Sequence, residues 1–126
     1  MIECGKAIPV FGDGTSGRDY TFIDDIVQGV LAALAYDCKF ETFDLGNSHP
    51  IDLKTVITTI ERLLGKTAVL QRLPVQPGDV PITYADISKA RALLGYDPAT
   101  SFSDGVKHFI EWVRSRHQVP GIAANE

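Results

Sequence analysis

Apolar residues in this chain fall into short runs and helical repeats, and turn-forming residues separate the two kinds of segment. The runs at residues 7–11 and 66–73 predict strands, as does the alternation at residues 18–22 after a glycine-rich turn. A further strand is predicted at residues 41–45, where the run ends in a Gly-Asn pair. Four stretches of helical spacing lie between and after these runs. The pattern predicts an α/β protein in which short strands alternate with about four helices.

The helix ends are marked by residues with suitable side chains or backbone freedom. A side-chain oxygen at an N-cap accepts a hydrogen bond from a free N–H group of the first turn. The predicted N-caps are Asp24, Asp52, Asp86 and Ser103. Glycine just after a helix ends it readily, and Gly65 and Gly95 hold such positions. We find no internal repeat or linker, and we predict one domain at residues 1–118 with a flexible tail at 119–126.

The first predicted helix, residues 24–36, is apolar nearly all round. Ile26, Val27, Val30 and Leu34 follow one face, while Gly29 and two alanines occupy much of the other. A helix of this kind is normally buried on more than one side. Because a small domain offers few such places, the helix is expected to pack against a partner outside the chain.

Charge and cysteine usage exclude several classes of function. Sixteen acidic and twelve basic residues give a net charge of −4 without any basic cluster, which argues against nucleic acid or an anionic membrane surface as a partner. Cys4 and Cys38 are far apart and are predicted to be reduced thiols. No apolar run approaches the roughly 20 residues of a membrane span, and the N-terminus lacks a signal-peptide pattern. We therefore expect a cytoplasmic protein.

The stretch FGDGTSGRDYTFIDD, residues 11–25, is the first candidate site. It offers one cation, Arg18, after a flexible glycine turn, and an anionic phosphate needs such a donor. The glycine spacing fits neither a Walker loop nor a dinucleotide fingerprint. An alternative interpretation is a hairpin-like turn in which Arg18 pairs with a nearby aspartate, since surface pairs of this kind are common.

The stretch QPGDVPITYAD is the second candidate. Asp79 follows a Pro-Gly turn, and its carboxylate could accept hydrogen bonds from paired sugar hydroxyls. An Asp that holds its own turn by an Asx hydrogen bond is an equally good interpretation. The three histidines lack metal-ligand spacing, and Ser48-His49 lacks a third group to orient it. The residues alone therefore indicate one anion site, no metal site and no catalytic constellation.

Taken together and in order, three stretches resemble the C-terminal part of the extended short-chain dehydrogenase/reductases. They are IPVFGDGTSGRDYTFIDDIVQGV, FDLGNSHPIDLKTVITTIERLLGK and QPGDVPITYADISKARALLGYDPATSFSDGVKHFIEWV, which cover nearly the whole chain. Within that family the chain is most similar to NAD-dependent nucleotide-sugar epimerases, and the QPGD form is similar to the UDP-glucuronate 4-epimerases.

The resemblance implies a Rossmann-type fold whose N-terminal nucleotide-binding half is absent here. In the family that half carries the NAD motif and a catalytic Tyr-x-x-x-Lys, and no tyrosine of this chain is followed four residues later by lysine. NAD is therefore expected in the complete enzyme and not on this chain, which is expected to be inactive alone. Helix 24–36 would pack toward the Rossmann half, and a homo-oligomer is expected.

The resemblance also implies roles for single residues. Backbone groups of Pro9 and Phe11 would read uracil, Arg18 would bind the diphosphate, and Asp79 would meet the ribose hydroxyls. Many relatives have a second phosphate-binding arginine three residues before that aspartate, where this chain has Gln76. Binding of UDP-glucuronate or UDP-galacturonate would therefore depend more on Arg18. Asp24 and its neighbour Asp25 are expected to be structural, as a cap and a helix-dipole partner.

Three alternatives stay open at this point. The chain could be a freestanding, non-catalytic UDP-sugar-binding module. It could be an assembly domain that associates through helix 24–36. It could also be part of a nucleotide-sugar dehydratase or decarboxylase, because the residues that discriminate these reactions are not in the chain.

Overall fold

The computed structural model describes residues 1–117, so the predicted tail at 119–126 and the domain end at residue 118 lie outside the described part. After a short 3₁₀ turn at Ile2–Cys4, the chain alternates strands and helices. The elements are β1 Ile8–Phe11, β2 Gly17–Arg18, α1 Ile23–Ala35, β3 Ile51–Asp52, α2 Leu53–Leu64, β4 Leu70–Leu73, α3 Ser88–Leu94 and α4 Phe102–His117. The predicted α/β class and the four helices are confirmed.

The strands form two separate pairs. β1 and β4 are parallel, with Val10 opposite Arg72, and β2 and β3 are antiparallel, with Arg18 opposite Ile51. A single parallel bridge joins Gly17 to Ile82 and ties the loop after β4 to β2. The glycine-rich loop between β1 and β2 therefore connects the two pairs.

The best-buried cluster lies where α1, α3 and the segment before Gly46 meet. Ile87, Ala90 and Tyr96 are almost completely buried, and Phe43 and Leu45 pack against them. The Tyr96 hydroxyl donates to the Gly46 carbonyl at 2.9 Å, so this buried polar atom has a partner. Val10 of β1, with 1% of its surface exposed, is buried apart from this cluster.

Three of the four predicted N-caps, Asp24, Asp86 and Ser103, are wrong. Helix α1 begins at Ile23 after Phe22, so Asp24 lies inside the first turn and is not a cap. Helix α4 begins at Phe102, and Ser101 rather than Ser103 accepts the Asp104 N–H at 3.1 Å. In both helices the backbone becomes helical before the predicted cap, at Ile23 in α1 and at Phe102 in α4.

The structure confirms Asp52 as the N-cap of α2, where it accepts the Thr55 N–H at 2.6 Å. Asp86 lies one residue before Ile87, the N-cap of α3, and accepts the Ser88 N–H at 3.0 Å in a local turn. Gly65 and Gly95 end α2 and α3 in the left-handed conformation, with φ of 65° and 66°, as the sequence predicts.

The predicted strand at residues 41–45 is absent: this segment has no regular secondary structure. A strand is defined by a hydrogen-bonded neighbour, and no strand of the described part pairs with this segment. The strand predicted at 18–22 is reduced to Gly17–Arg18, and that at 66–73 to Leu70–Leu73. The predicted strands are therefore longer than β2 and β4, because a strand extends only as far as its hydrogen-bonded neighbour.

Helix α1 leaves one apolar face open. It buries Asp25 and Gly29 against the rest of the chain, yet Ile23 is 62% exposed and Leu34 is 78% exposed. The exposed apolar side chains of this helix, here called the α1 face, are Ile23, Val27, Val30, Leu31 and Leu34. The usual arrangement of a surface helix is reversed here: apolar side chains face solvent, and the carboxylate of Asp25 is buried.

Candidate functional site

Arg18 and Asp79, 61 positions apart in the sequence, form an ion pair. Arg18 Nη2 contacts Asp79 Oδ1, and Arg18 Nη1 donates to the Gly17 carbonyl at 2.7 Å. The two side chains are 32% and 42% exposed, so a ligand in solvent can reach both. The structure thus brings together the two residues that the sequence singled out separately.

Backbone pairing of the loop after β4 places Asp79 next to Arg18. Gly17 donates to Pro81 at 2.8 Å and accepts from Thr83 at 3.2 Å, which fixes the segment following Asp79 alongside β2. The preceding turn is closed by the Asp79 N–H, which donates to the Gln76 carbonyl at 3.2 Å, with Gly78 at φ 85°. That φ requires glycine or a strained residue, so the Pro-Gly sequence sets the turn. The Gln76 side chain is exposed and brings no charge to the pair.

The glycine-rich loop is neither a hairpin nor a strand–loop–helix phosphate loop. It leads from β1 into β2, which pair with different strands. Asp13 accepts from the Thr15 N–H at 2.9 Å and from its hydroxyl at 2.6 Å, and these bonds hold the pKa of Asp13 below its ordinary value. The carboxylate of the loop is therefore engaged locally, and Arg18 pairs with the distant Asp79.

A cleft of about 370 Å³ opens beside the ion pair. Arg18 contributes a positive charge and Asp19 a carboxylate that is engaged by backbone N–H groups, and hydroxyl groups come from Thr21, Thr83 and Tyr84. Leu45 and Ala85 supply apolar surface at its floor. A cation with several neutral hydrogen-bonding groups is suited to a phosphorylated, hydroxyl-rich ligand.

Asp19 is the residue of this region that sequence reasoning missed. Its carboxylate accepts hydrogen bonds from the backbone N–H groups of Asn47, Ser48 and Ala85, at 3.0–3.1 Å. These groups belong to two segments that border the cleft. Asp19 itself lines the cleft, and the signal for it in the sequence is its position directly after Arg18.

Strand β1 pairs with β4 along one edge, and within residues 1–117 no strand pairs with its other edge. Ile8 and Gly12 donate to Val69 and Leu73 of the β4 side, at 2.8 and 2.9 Å. In a parallel ladder alternate residues bond to the same neighbour, so the backbone groups of Pro9 and Phe11 face the other edge. Both residues are exposed, while Val10 between them is buried.

A larger cavity of about 710 Å³ lies away from the ion pair and is almost wholly apolar. The rings of Tyr20, Phe22, Phe109 and Trp112 line it, and Ile23 of the α1 face also reaches it. The cavity and the α1 face thus form one continuous exposed surface, which we call the apolar surface.

Other candidate groups do not assemble into a site. His49 Nδ1 lies 2.8 Å from the Asn47 carbonyl, and the His108 ring packs edge-on against Phe22. Residues 1–117 hold no group of three or more side chains that could bind a metal ion. Cys4 and Cys38 are exposed and unpaired with each other. None of the helices described is long and apolar enough to cross a membrane.

Comparison with known proteins defines the class of this fold. The model of the GDP-mannose 4,6 dehydratase family matches residues 1–109, and the chain belongs to that family. Its fold and sequence are those of the C-terminal part of the Rossmann-type, NAD-dependent extended short-chain dehydrogenase/reductase epimerases.

Individual relatives support the same conclusion. The chain is 43% identical over 108 residues to UDP-glucuronate 4-epimerase of Thermodesulfobacterium geofontis, covering 85% of this chain and 33% of the relative. The crystal structure of UDP-glucuronic acid 4-epimerase from Bacillus cereus with UDP-glucuronic acid and NAD is 36% identical, with a TM-score of 0.79 over 89% of this chain and 36% of that one. UDP-glucose 4-epimerase of Thermotoga maritima with UDP-glucose is 28% identical, with a TM-score of 0.82 over 93% and 38%. The chain therefore spans about a third of the length of these proteins.

Proposed function

We propose that this chain is the UDP-sugar-binding part of an NAD-dependent nucleotide-sugar epimerase that acts on UDP-glucuronate. The observation that carries the proposal is the meeting of Arg18 and Asp79 at the hydroxyl-lined cleft. The UDP-glucuronate 4-epimerases among its relatives support the choice of sugar.

Arg18 is proposed to bind the diphosphate. A guanidinium can donate two parallel hydrogen bonds to phosphate oxygens, and these bonds are stronger than neutral ones. The diphosphate would replace the Asp79 carboxylate as the partner of Arg18. Asp79 then becomes available to accept hydrogen bonds from the two ribose hydroxyls, at a place already next to the phosphate. Gln76, which is neutral and exposed, leaves most of the charge compensation to Arg18.

The free edge of β1 is proposed to read the base. Pro9 has no N–H group and offers only a carbonyl, whereas Phe11 offers both an N–H and a carbonyl. Uracil presents an N–H donor beside a carbonyl acceptor, so it could donate to the Pro9 carbonyl and accept from the Phe11 N–H. The exposed Phe11 ring supplies an apolar surface for the base.

In the complete enzyme, bound NAD would supply the reversible hydride transfer that an epimerase needs. The residues of this chain are proposed to bind and orient the substrate, and none of them is assigned to the cofactor. Holding the UDP group fixes the position of the reacting carbon, so remote binding energy lowers the barrier.

The apolar surface is proposed to dock on a Rossmann-type half, which would cover the α1 face and the aromatic cavity. Exposed apolar patches of this kind mark interaction sites. Without that half, the chain is proposed to turn over no substrate, and the complete enzyme is expected to be a homo-oligomer. The cytoplasmic location stays a prediction.

Calorimetric titration with UDP tests the binding role. We expect the wild-type chain to bind UDP and Arg18→Ala to bind roughly 10–100-fold more weakly, since a charge-assisted hydrogen bond contributes about 1.5–3 kcal/mol. Arg91→Ala is the matched control, because Arg91 forms a comparable exposed pair with Asp97 at 3.2 Å on a different part of the surface. Equal affinities of the two variants would refute the role of Arg18.

Incubation with UDP-glucuronate and NAD tests the second part of the proposal. The chain alone should form no UDP-galacturonate, and formation of that product would overturn its inactivity. Competition of UDP-glucuronate with UDP-glucose in the calorimeter tests the sugar preference. Tighter binding of UDP-glucose would instead indicate a UDP-glucose epimerase.

A further inference from the structure

The carboxylate of Asp19 ties together two segments that are distant in sequence. Ser48 and Ala85 donate their N–H groups to Oδ2 at 3.0 and 3.1 Å. The Asn47 N–H lies 3.1 Å from both oxygens. Three backbone donors on one side chain fix its position, because each would be left without this acceptor if the carboxylate moved.

The surroundings leave Asp19 little room. A Cβ added to Gly46 would lie 2.6 Å from Asp19 Oδ2 and 2.6 Å from the Ala85 Cβ. Ser48 has a φ of 58°, a conformation that non-glycine residues rarely adopt. Since the Ser48 N–H is one of the donors, the Asp19 bond helps to hold this unfavourable backbone.

Asp19 directly follows Arg18, the last residue of β2. Because the Asp19 carboxylate is held by the backbone N–H groups of Asn47, Ser48 and Ala85, it fixes the main chain at the residue next to Arg18, and so the point from which the Arg18 side chain reaches Asp79. The Asp19 carboxylate also accepts the N–H of Ala85, which lies six residues after Asp79. Asp19 therefore fixes the backbone near both residues of the Arg18–Asp79 ion pair.

We propose that Asp19 is a positioning residue, which orients Arg18 toward Asp79 beside the cleft that Arg18 and Asp19 both line, while its own carboxylate oxygens are occupied by backbone N–H groups. The consequence for UDP binding rests on the proposed function, whereas the orientation of Arg18 does not. Loss of the Asp19 anchor should disorder the Arg18–Asp79 pair and weaken binding of any ligand that depends on Arg18.

Asp25 offers a matched control. It is a buried carboxylate that also accepts backbone N–H bonds from a distant segment, from Ala99 and Thr100 at 3.2 Å. It does not line the cleft beside Arg18. Asp19→Asn and Asp25→Asn therefore make the same chemical change at two structural aspartates, and only one of them is next to Arg18.

Two measurements on the full chain separate positioning from general stability. Nitrogen NMR of the arginine guanidinium groups reports the ordered Arg18–Asp79 pair, and Asp79→Ala assigns its signals. Calorimetry reports the affinity for UDP. We expect both Asn variants to lower the melting temperature, but only Asp19→Asn to lose the Arg18 signals and to weaken UDP binding, by roughly tenfold.

These measurements test the positioning role of Asp19 separately from the proposed UDP-binding function. Retention of the Arg18 signals in Asp19→Asn overturns it, as does the absence of any ordered Arg18 signal in the wild type. If the wild type shows no heat with UDP, the proposed binding role fails, and the NMR comparison still decides the role of Asp19. If Asp19→Asn does not fold, Asp19→Glu, which keeps the charge but lengthens the side chain, is measured instead with the same expectation.

Discussion

Several aspartates stabilise the backbone of this chain, because each accepts hydrogen bonds from backbone N–H groups. Asp52 caps helix α2, Asp86 closes the turn before α3, Asp19 joins loops, and Asp25 fastens helix α1 to the segment before α4. The sequence predicted the Asp52 cap from local cues alone, and it predicted a structural role for Asp25 as a helix-dipole partner. It could not predict Asp19 or the partners of Asp25, because these partners lie 28–75 positions away and only the fold brings them near.

The Asp52 cap should make stability depend on acid pH. The bonds from Thr55 hold the pKa of Asp52 below its ordinary value, so its stabilisation is present above that ordinary value and is lost as pH falls through the lower folded-state pKa. Asp52→Ala should melt at lower temperature at neutral pH, and the difference from wild type should shrink below about pH 4. Thermal melts between pH 2 and 7 measure this, with Asp52→Asn as a neutral control that can still accept the bond. A pH-independent difference would contradict it.

Tyr96 should make stability depend on alkaline pH. Burial, followed by the nearby Asp25 and Asp19 carboxylates, raises the pKa of its hydroxyl. The unfolded chain therefore ionises first, and the contribution of Tyr96 to stability should fall as pH rises above about 10. Tyr96→Phe should remove this step, and should also cost about 1–3 kcal/mol at neutral pH because the Gly46 carbonyl loses its donor. Denaturant melts between pH 8 and 11 test this against Tyr84→Phe, an exposed tyrosine, and an equal alkaline loss in both variants would refute it.

At the scale of elements, helix α1 shows what a periodicity can and cannot predict. The apolar repeat predicted the helix, and the excess of apolar positions predicted a face without a partner in the chain. The predicted helix start is wrong. Asp24 has a good capping side chain, but the backbone changes from extended at Phe22 to helical at Ile23, so the helix begins before Asp24. The segment 41–45 shows the same limit, since the sequence indicates extended chain but a ladder requires a neighbour.

Gly29 is required in α1 for close packing rather than for backbone freedom. A Cβ there would lie 2.8 and 2.9 Å from Leu45 and 2.9 Å from Tyr96. Alanine favours a helix over glycine by about 1 kcal/mol, but overpacking of this kind costs about 1–3 kcal/mol. We expect Gly29→Ala to lower the free energy of unfolding.

Urea denaturation of Gly29→Ala and Gly105→Ala provides the comparison. Gly105 is also within a helix, and its added Cβ would approach only Phe22, at 3.2 Å. Gly105→Ala should therefore be clearly the more stable of the two. A Gly29→Ala protein that is more stable than wild type would show that the packing around Leu45 and Tyr96 can relax.

At the scale of the whole molecule, the division between buried and exposed residues is uneven. Few side chains are fully buried, while the α1 face and the aromatic cavity form one exposed apolar surface. The sequence anticipated the α1 face from its pattern. Phe109 and Trp112 of helix α4 belong to the same surface, and both are more than half exposed. Amphipathic spacing shows which side of a helix is apolar, but not whether anything in the same chain covers it.

This exposed surface predicts concentration-dependent self-association of the chain on its own. Replacing Leu31 and Leu34 with lysine adds charge at the centre of the α1 face and should shift the protein toward monomer. Gln28→Lys adds charge elsewhere on the same helix and should leave association unchanged. Light scattering over a range of concentrations measures this, and a wild-type chain that stays monomeric throughout would contradict the prediction.

The parallel pairing of β1 with β4 also has a kinetic consequence. The two strands are separated by about sixty residues, and closing so long a loop costs entropy before any contact between them is gained. The helices, which consist of local contacts, should therefore form well before this pair of strands. During synthesis β1 emerges before residues 70–73 and must wait for them, so the strand that carries Pro9 and Phe11 acquires its neighbour late in folding.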